Sequence, residues 1–188
     1  MPGEDVSGDG ALVAVRDGGA VATAVDGLGH GPTAALAAER ALDTVRASGD
    51  EDVVVLVERC HDALRETRGA AMSIATIDRS RATMTWLGVG NVEGRIVRAP
   101  GSRGARSEAL ILTPGVVGHE LPPLRAANVE LERGDLLLMA TDGIDPAYAD
   151  GLEPSGPCSA IAQAVLERHA RATDDALVAV IRYLGGDG

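Results

Sequence analysis

The stretch Val21–Pro32, Val-Ala-Thr-Ala-Val-Asp-Gly-Leu-Gly-His-Gly-Pro, constrains this chain more than any other. Its apolar run reads as a strand, and the run ends in Asp26. A glycine-rich turn follows, and Pro32 suits the first turn of a helix. An acid at the end of a strand is held at a fixed point on a rigid sheet. The glycines let another group approach the backbone closely. The turn is not a dinucleotide fingerprint, because Pro32 stands where G-x-G-x-x-G needs its last glycine, and it lacks the lysine of a P-loop.

Around this stretch the chain reads as strands and helices in an irregular order. Ala11–Arg16 and Ala20–Val25 read as strands joined by a hairpin turn at Asp17-Gly18-Gly19. Such a hairpin brings Asp9 and Asp26 to the same end of a sheet. Pro32–Ser48 and Asp50–Thr67 read as helices, the second with Val53, Val57, Cys60 and Leu64 on one face. Ala70–Asp78, Ala82–Val89, Val92–Ala99 and Leu110–Thr113 read as strands, and Val129–Leu131 as an edge strand. Pro100–Arg106 and Pro114–Pro123 read as loops, the latter as a mobile flap over substrate. Leu136–Ala140 is a buried strand running into Asp142. Pro157–Ala170 is a helix, and Leu177–Tyr183 a final buried strand. The order is not a regular β-α-β alternation, which argues against a doubly wound parallel sheet. Short turns between strands favour two antiparallel sheets with helices packed outside.

The 188 residues suit one domain spanning 1–188. Apolar residues make up 45%, but aromatics only 2% and Phe none, so Val, Leu, Ile and Ala must fill the core. A net charge of −11 argues against nucleic acid and anionic membrane as partners. Met1–Gly10 has no basic and apolar pattern of a secretory leader, and no apolar run reaches a membrane span. Cys60 and Cys158 lack metal-ligand spacing and read as core thiols of a reducing compartment. The expectation is a soluble cytoplasmic protein.

Four acids share one context: Asp9, Asp26, Asp142 and Asp174 each sit at a strand end. Asp-Gly is a common turn dipeptide, and any one of these alone needs no function. Four in this arrangement point to a pair of hard divalent cations, Mn²⁺ or Mg²⁺, which take oxygen ligands. Two such ions bridged by one carboxylate and one water make a nucleophile and clamp a phosphoryl group for in-line attack. Asp26 is the natural bridge, and Gly27 offers a backbone carbonyl. Asp175 is a supporting partner or simply solvated. His30 invites a general-acid role, and a His in a glycine-rich turn equally well only bonds backbone. Arg68 suits a substrate phosphate, and a helix-ending Arg before a capping Gly explains it too. Asn91 suits a metal-bound water or a plain turn.

Taken in order, Ser7-Gly8-Asp9-Gly10, Asp26-Gly27-Leu28-Gly29-His30-Gly31, Thr67-Arg68-Gly69-Ala70-Ala71, Gly88-Val89-Gly90-Asn91-Val92, Thr141-Asp142-Gly143-Ile144 and Asp174-Asp175-Ala176 span nearly the whole chain. On these motifs the chain resembles the metal-dependent protein phosphatases of the PP2C class, in their SpoIIE-like branch, and most closely the RsbX-type phosphatases of stressosome pathways. The resemblance implies an α+β fold, a four-layer α-β-β-α sandwich of two antiparallel sheets flanked by helices. It implies two Mn²⁺ or Mg²⁺ ions bridged by Asp26, with Gly27, Asp9, Asp142 and Asp174 completing their shells. Asp26 and Asp142 would then be catalytic, and Arg68, Asn91 and His30 substrate-contacting. The implied reaction is hydrolysis of phosphoserine or phosphothreonine without a phospho-enzyme. Its implied substrates are phosphorylated STAS-domain proteins of a stressosome or anti-sigma switch.

Two departures stand out. Many PP2C enzymes carry a His directly after the central Asp-Gly, where this chain has Leu28, so the leaving oxygen would be protonated by water. The basic phosphate-binding residue of eukaryotic relatives has no match in Met1–Asp9. No separate sensory domain is expected. The competing reading is an inactive PP2C-like scaffold that binds a signalling partner, which the survival of all four acids disfavours.

Overall fold

The computed structural model describes residues 6–102 and 106–186. The first five residues, and residues 103–105 of the expected Pro100–Arg106 loop, lie outside the described part. Strands β1 (Asp9–Arg16) and β2 (Gly19–Gly27) form a hairpin whose register pairs Arg16 with Gly19 and Asp9 with Asp26. Gly18 turns the chain at φ +82°, a conformation open to glycine. Helices α1 (Pro32–Ala47) and α2 (Val53–Leu64) follow. Strands β3 (Ala70–Asp78), β4 (Thr83–Val89), β5 (Glu93–Val97), β6 (Ser107–Ala109), β7 (Ala127–Glu130) and β8 (Leu136–Ala140) come next. A single 3₁₀ turn at Pro146–Ala149, helix α3 (Cys158–His169) and β9 (Val178–Arg182) complete the chain.

The strands form two sheets, ordered β1-β2-β3-β4-β7 and β6-β5-β8-β9, with every ladder antiparallel. Three apolar layers glue them. Val21, Val25, Met72, Ile74, Leu87 and Val89 face the buried stripe of α1 and α2. Ala22, Ala24, Ala75, Trp86, Ile96 and Met139 fill the space between the sheets. Leu136, Leu138 and Ala140 face Ile161 and Val165 of α3. The four-layer α-β-β-α sandwich expected from the resemblance is therefore the fold observed. Helix α2 buries Val53, Val57, Cys60 and Leu64 as its periodicity requires, and the Asp52 carboxylate caps it through the Val54 N–H at 2.8 Å.

The structure departs from the sequence reading in several places. Leu110–Thr113 is no strand; it makes only an isolated bridge at Thr113, while the strand lies just before it at Ser107–Ala109. Leu112 instead packs beside Gly88, and Leu110 joins the layer between the sheets. The edge strand expected at Val129–Leu131 begins earlier and ends at Glu130, where register with Thr83 stops it. Val178–Arg182 is half-buried along its length, because it lies at the edge of its sheet. The Pro114–Pro123 segment is tied down rather than free. Ala70 and Val117 exchange both backbone hydrogen bonds at 2.9 Å, and Gly118 donates to His61 Nδ1 at 3.0 Å.

Candidate metal centre

The acids converge because strand ends converge. Asp9 and Asp26 are direct cross-strand partners at one end of the β1–β2 ladder. Asp142 leaves the end of β8 in the other sheet, and Asp174 and Asp175 precede β9 beside it. The two sheets meet at this end through side-chain contacts. Thr141 Oγ1 donates to Asp9 Oδ2 at 2.6 Å, the Gly8 N–H donates to Asp175 Oδ2 at 2.6 Å, and Asn91 Nδ2 donates to Asp142 Oδ2 at 2.6 Å.

The glycine after each central acid has a spatial reason. A Cβ at Gly27 would stand 2.1 Å from the Ala34 carbonyl oxygen, so only glycine lets α1 abut this strand end. A Cβ at Gly143 would stand 1.8 Å from the Asp175 carbonyl oxygen. In neither Asp-Gly pair is the glycine in the left-handed region. Close backbone approach, and not turn geometry, is what these glycines provide.

The electrostatics follow from the geometry. Asp26 is pushed up from 3.8 to about 7, mainly by burial, then by the charges of Asp9, Asp142 and Asp174, with the Asn91 hydrogen bond opposing. Asp9 is pushed up to about 6, again mainly by burial; the Thr141 hydrogen bond pulls the other way, and Asp175, Asp142 and Asp174 add repulsion. Carboxylates crowded in this way are stabilised by a cation. The donor set is all oxygen, which suits a hard divalent ion. Among the described residues no three acidic, His or Cys side chains already stand around one point as a closed ligand set. Asp9 is turned to Thr141 and Asp142 to Asn91.

Of the remaining residues singled out in the sequence, Arg68 lies over the glycine-rich turn: a Cβ at Gly29 would meet Arg68 Nη1 at 2.6 Å. The Leu28 N–H donates to the Gly69 carbonyl at 3.0 Å, joining that turn to the Arg68 segment. His30 is exposed on the same turn. Two groups went unassigned in the sequence. Thr141 was visible only as part of a motif, with no hint that its hydroxyl reaches Asp9. Arg171 carries no sequence signal at all; its guanidinium donates to the Asp142 carbonyl at 2.8 Å and its N–H to the Gly143 carbonyl at 2.7 Å.

The profile of the family Stage II sporulation protein E (SpoIIE) matches residues 16–184. The chain belongs to the SpoIIE family. It is 28% identical over 145 residues to phosphoserine phosphatase RsbX of Bacillus subtilis (strain 168), covering 76% of this chain and 70% of RsbX. A solved protein of the bacterial stressosome, a modular system adapted to control secondary messenger signalling, superposes with a TM-score of 0.85 at 31% identity. That match covers 96% of this chain and 93% of the other. The crystal structure of RsbX in complex with magnesium superposes with a TM-score of 0.82 at 24% identity, over 95% of this chain and 87% of that one. This last likeness speaks to the fold. Among the described residues no helix is long and apolar enough to cross a membrane.

Proposed function

We propose that this chain is a metal-dependent protein serine/threonine phosphatase whose metal centre is built from Asp9, Asp26, Asp142, Asp174 and the Gly27 carbonyl. One observation carries the reading: Asp9 and Asp26 face each other across a ladder, with Asp142 and Asp174 close enough to raise both. No structural need explains such a cluster, since it destabilises the fold that contains it. Two divalent cations bound there, Mn²⁺ or Mg²⁺, would neutralise the phosphoryl oxygens and make water a competent nucleophile at neutral pH.

The chain's own residues do the rest. Asp26, on the rigid end of β2, holds the centre of the site. Asp142 brings the second sheet to it, and the Asn91 amide holds the Asp142 carboxylate. Arg68, exposed beside the turn 27–31, meets the substrate phosphate as a guanidinium fork. Leu28 stands in the position a His occupies in many relatives and can move no proton, so water protonates the leaving serine oxygen.

The substrate is a phosphorylated STAS-domain protein of a partner-switching stress pathway in the cytoplasm. This is supported by the RsbX and stressosome likenesses. The test is phosphate release from a serine-phosphorylated STAS-domain protein with Mn²⁺ and then with excess EDTA. Metal-dependent release is expected, with Asp142→Asn folded and inactive. A folded, metal-supplied sample that releases nothing from that protein or from phosphoserine peptides would move the scaffold reading ahead.

A further inference from the structure

The hydroxyl of Thr141 is buried, and its residue is 1% exposed, yet it serves no turn or cap. Thr141 follows β8 directly and precedes Asp142. Its Oγ1 accepts the Leu177 N–H at 2.9 Å and lies 2.6 Å from Asp9 Oδ2. A hydroxyl has one proton to give. The rival acceptor is the Leu177 carbonyl at 3.4 Å, which already takes the Thr141 N–H at 3.1 Å. Distance therefore assigns the proton to Asp9. The chain of hydrogen bonds runs one way, from the Leu177 N–H through the Thr141 hydroxyl to the Asp9 carboxylate. It starts in one sheet and ends in the other, linking residues 132 positions apart.

Asp9 needs such a hold. It opens β1, an edge strand with a neighbour on one side only. Its ladder partner there is Asp26, which repels it. The Thr141 bond occupies Oδ2 and leaves Oδ1 without a hydrogen-bond partner among the described residues, so it selects the rotamer that presents one oxygen.

We propose that Thr141 is a positioning residue: its hydroxyl, backed by the Leu177 N–H, fixes Asp9 across the sheet–sheet seam so that the free carboxylate oxygen is preset for a divalent cation. This rests on the metal-centre reading above. Thr141→Val keeps the branched shape and removes the hydroxyl, leaving Asp9 without its donor and Leu177 without its acceptor. Thr141→Cys replaces the hydroxyl by a weak donor of similar size, and Thr141→Ser keeps it.

The experiment titrates Mn²⁺ into the metal-stripped full chain by calorimetry, alongside thermal melts in EDTA and Mn²⁺-activation curves for phosphate release. Thr141→Val and Thr141→Cys are expected to weaken Mn²⁺ binding about 10- to 100-fold, as loss of an outer-shell partner does. Thr141→Ser should stay within about threefold of the parent, since it retains the donor. In the activation curves the Mn²⁺ requirement should rise while kcat at saturating Mn²⁺ recovers. Unchanged Mn²⁺ affinity in a folded Thr141→Val or Thr141→Cys protein overturns the positioning role and leaves the metal centre standing. Equal weakening in Thr141→Ser overturns it too, because packing of the methyl group would then be the cause. If Thr141→Val fails to melt cooperatively, the Cys and Ser pair decides. A parent protein that binds no Mn²⁺ overturns the metal centre, and the role with it.

Discussion

Asp26 and Asp78 each end a strand of the same sheet, at opposite ends, and they live under opposite conditions. Asp78 closes β3 and accepts from the Ser80 hydroxyl at 2.7 Å, the Ser80 and Arg81 N–H groups at 2.9 and 3.0 Å, and the Arg81 guanidinium at 3.0 Å. These bonds, the Ser80 hydroxyl foremost, hold its carboxyl down at about 2. Asp26 closes β2, is half-buried, and faces another acid, so its carboxyl sits near 7. One acid is satisfied by Ser80 and Arg81, two and three residues after it. The other is placed among its own kind, where burial and neighbouring carboxylates raise it. The difference separates an acid that builds a turn from the acid that the proposed function makes a metal ligand.

The comparison can be broken most sharply by neutralising each acid in turn. Asp26→Asn should lower phosphate release from a phosphoserine protein by about three orders of magnitude or more, since on the proposed function it removes a metal ligand. Its melting temperature in EDTA should match or exceed that of the parent. Asp78→Asn should release phosphate within about twofold of the parent, because Asp78 lies at the far end of the ladder. Equal losses in the two variants would erase the distinction.

The pH dependence of stability gives the two ends opposite signs. Asp9 and Asp26 have folded values above 3.8, so the folded chain binds more protons than the unfolded one between pH 3.8 and about 7. The metal-free protein should therefore lose stability from this pair as pH rises through that window. Asp78 has a folded value below 3.8, so its contribution is full above pH 3.8 and disappears as pH falls toward about 2. Melts in EDTA from pH 4 to 8 should show a falling melting temperature, and saturating Mn²⁺ should restore it at neutral pH. A shallower profile in Asp26→Asn than in the parent, with the Asp9 part remaining, would tie the effect to the cluster.

Arg68→Ala should raise KM for the phosphoprotein about tenfold with a smaller change in kcat, the signature of a lost phosphate contact. The smallest effect expected is that of Ser80→Ala, which removes one exposed hydrogen bond to Asp78 and should lower the melting temperature by a few degrees at most without touching turnover.

Much of this architecture was legible in the residues. The period of Val53, Val57, Cys60 and Leu64 gave α2 its buried face, and the Asp17-Gly18 turn fixed a hairpin register that sets Asp9 opposite Asp26. Leu110–Thr113 misled because a run of β-formers describes a half-buried extended segment as well as a ladder strand. Whether it pairs depends on which neighbour reaches it. The half-buried state of β9 was hidden for a similar reason, since its apolar run is the same at an edge as at a centre.

The sequence by itself determined which acids end strands, which glycines follow them, and that the first two acids share a sheet end. These are local facts, written by periodicity and turn chemistry. Only the tertiary structure decided that Asp142 and Asp174 join that pair, that Thr141 grips Asp9 from 132 residues away, and that Gly27 and Gly143 serve close backbone approach. The physical reason is that two sheets stack through side chains whose alternation says which face is buried but not which strand ends lie together. That choice is made by the packing of the whole apolar layer between them.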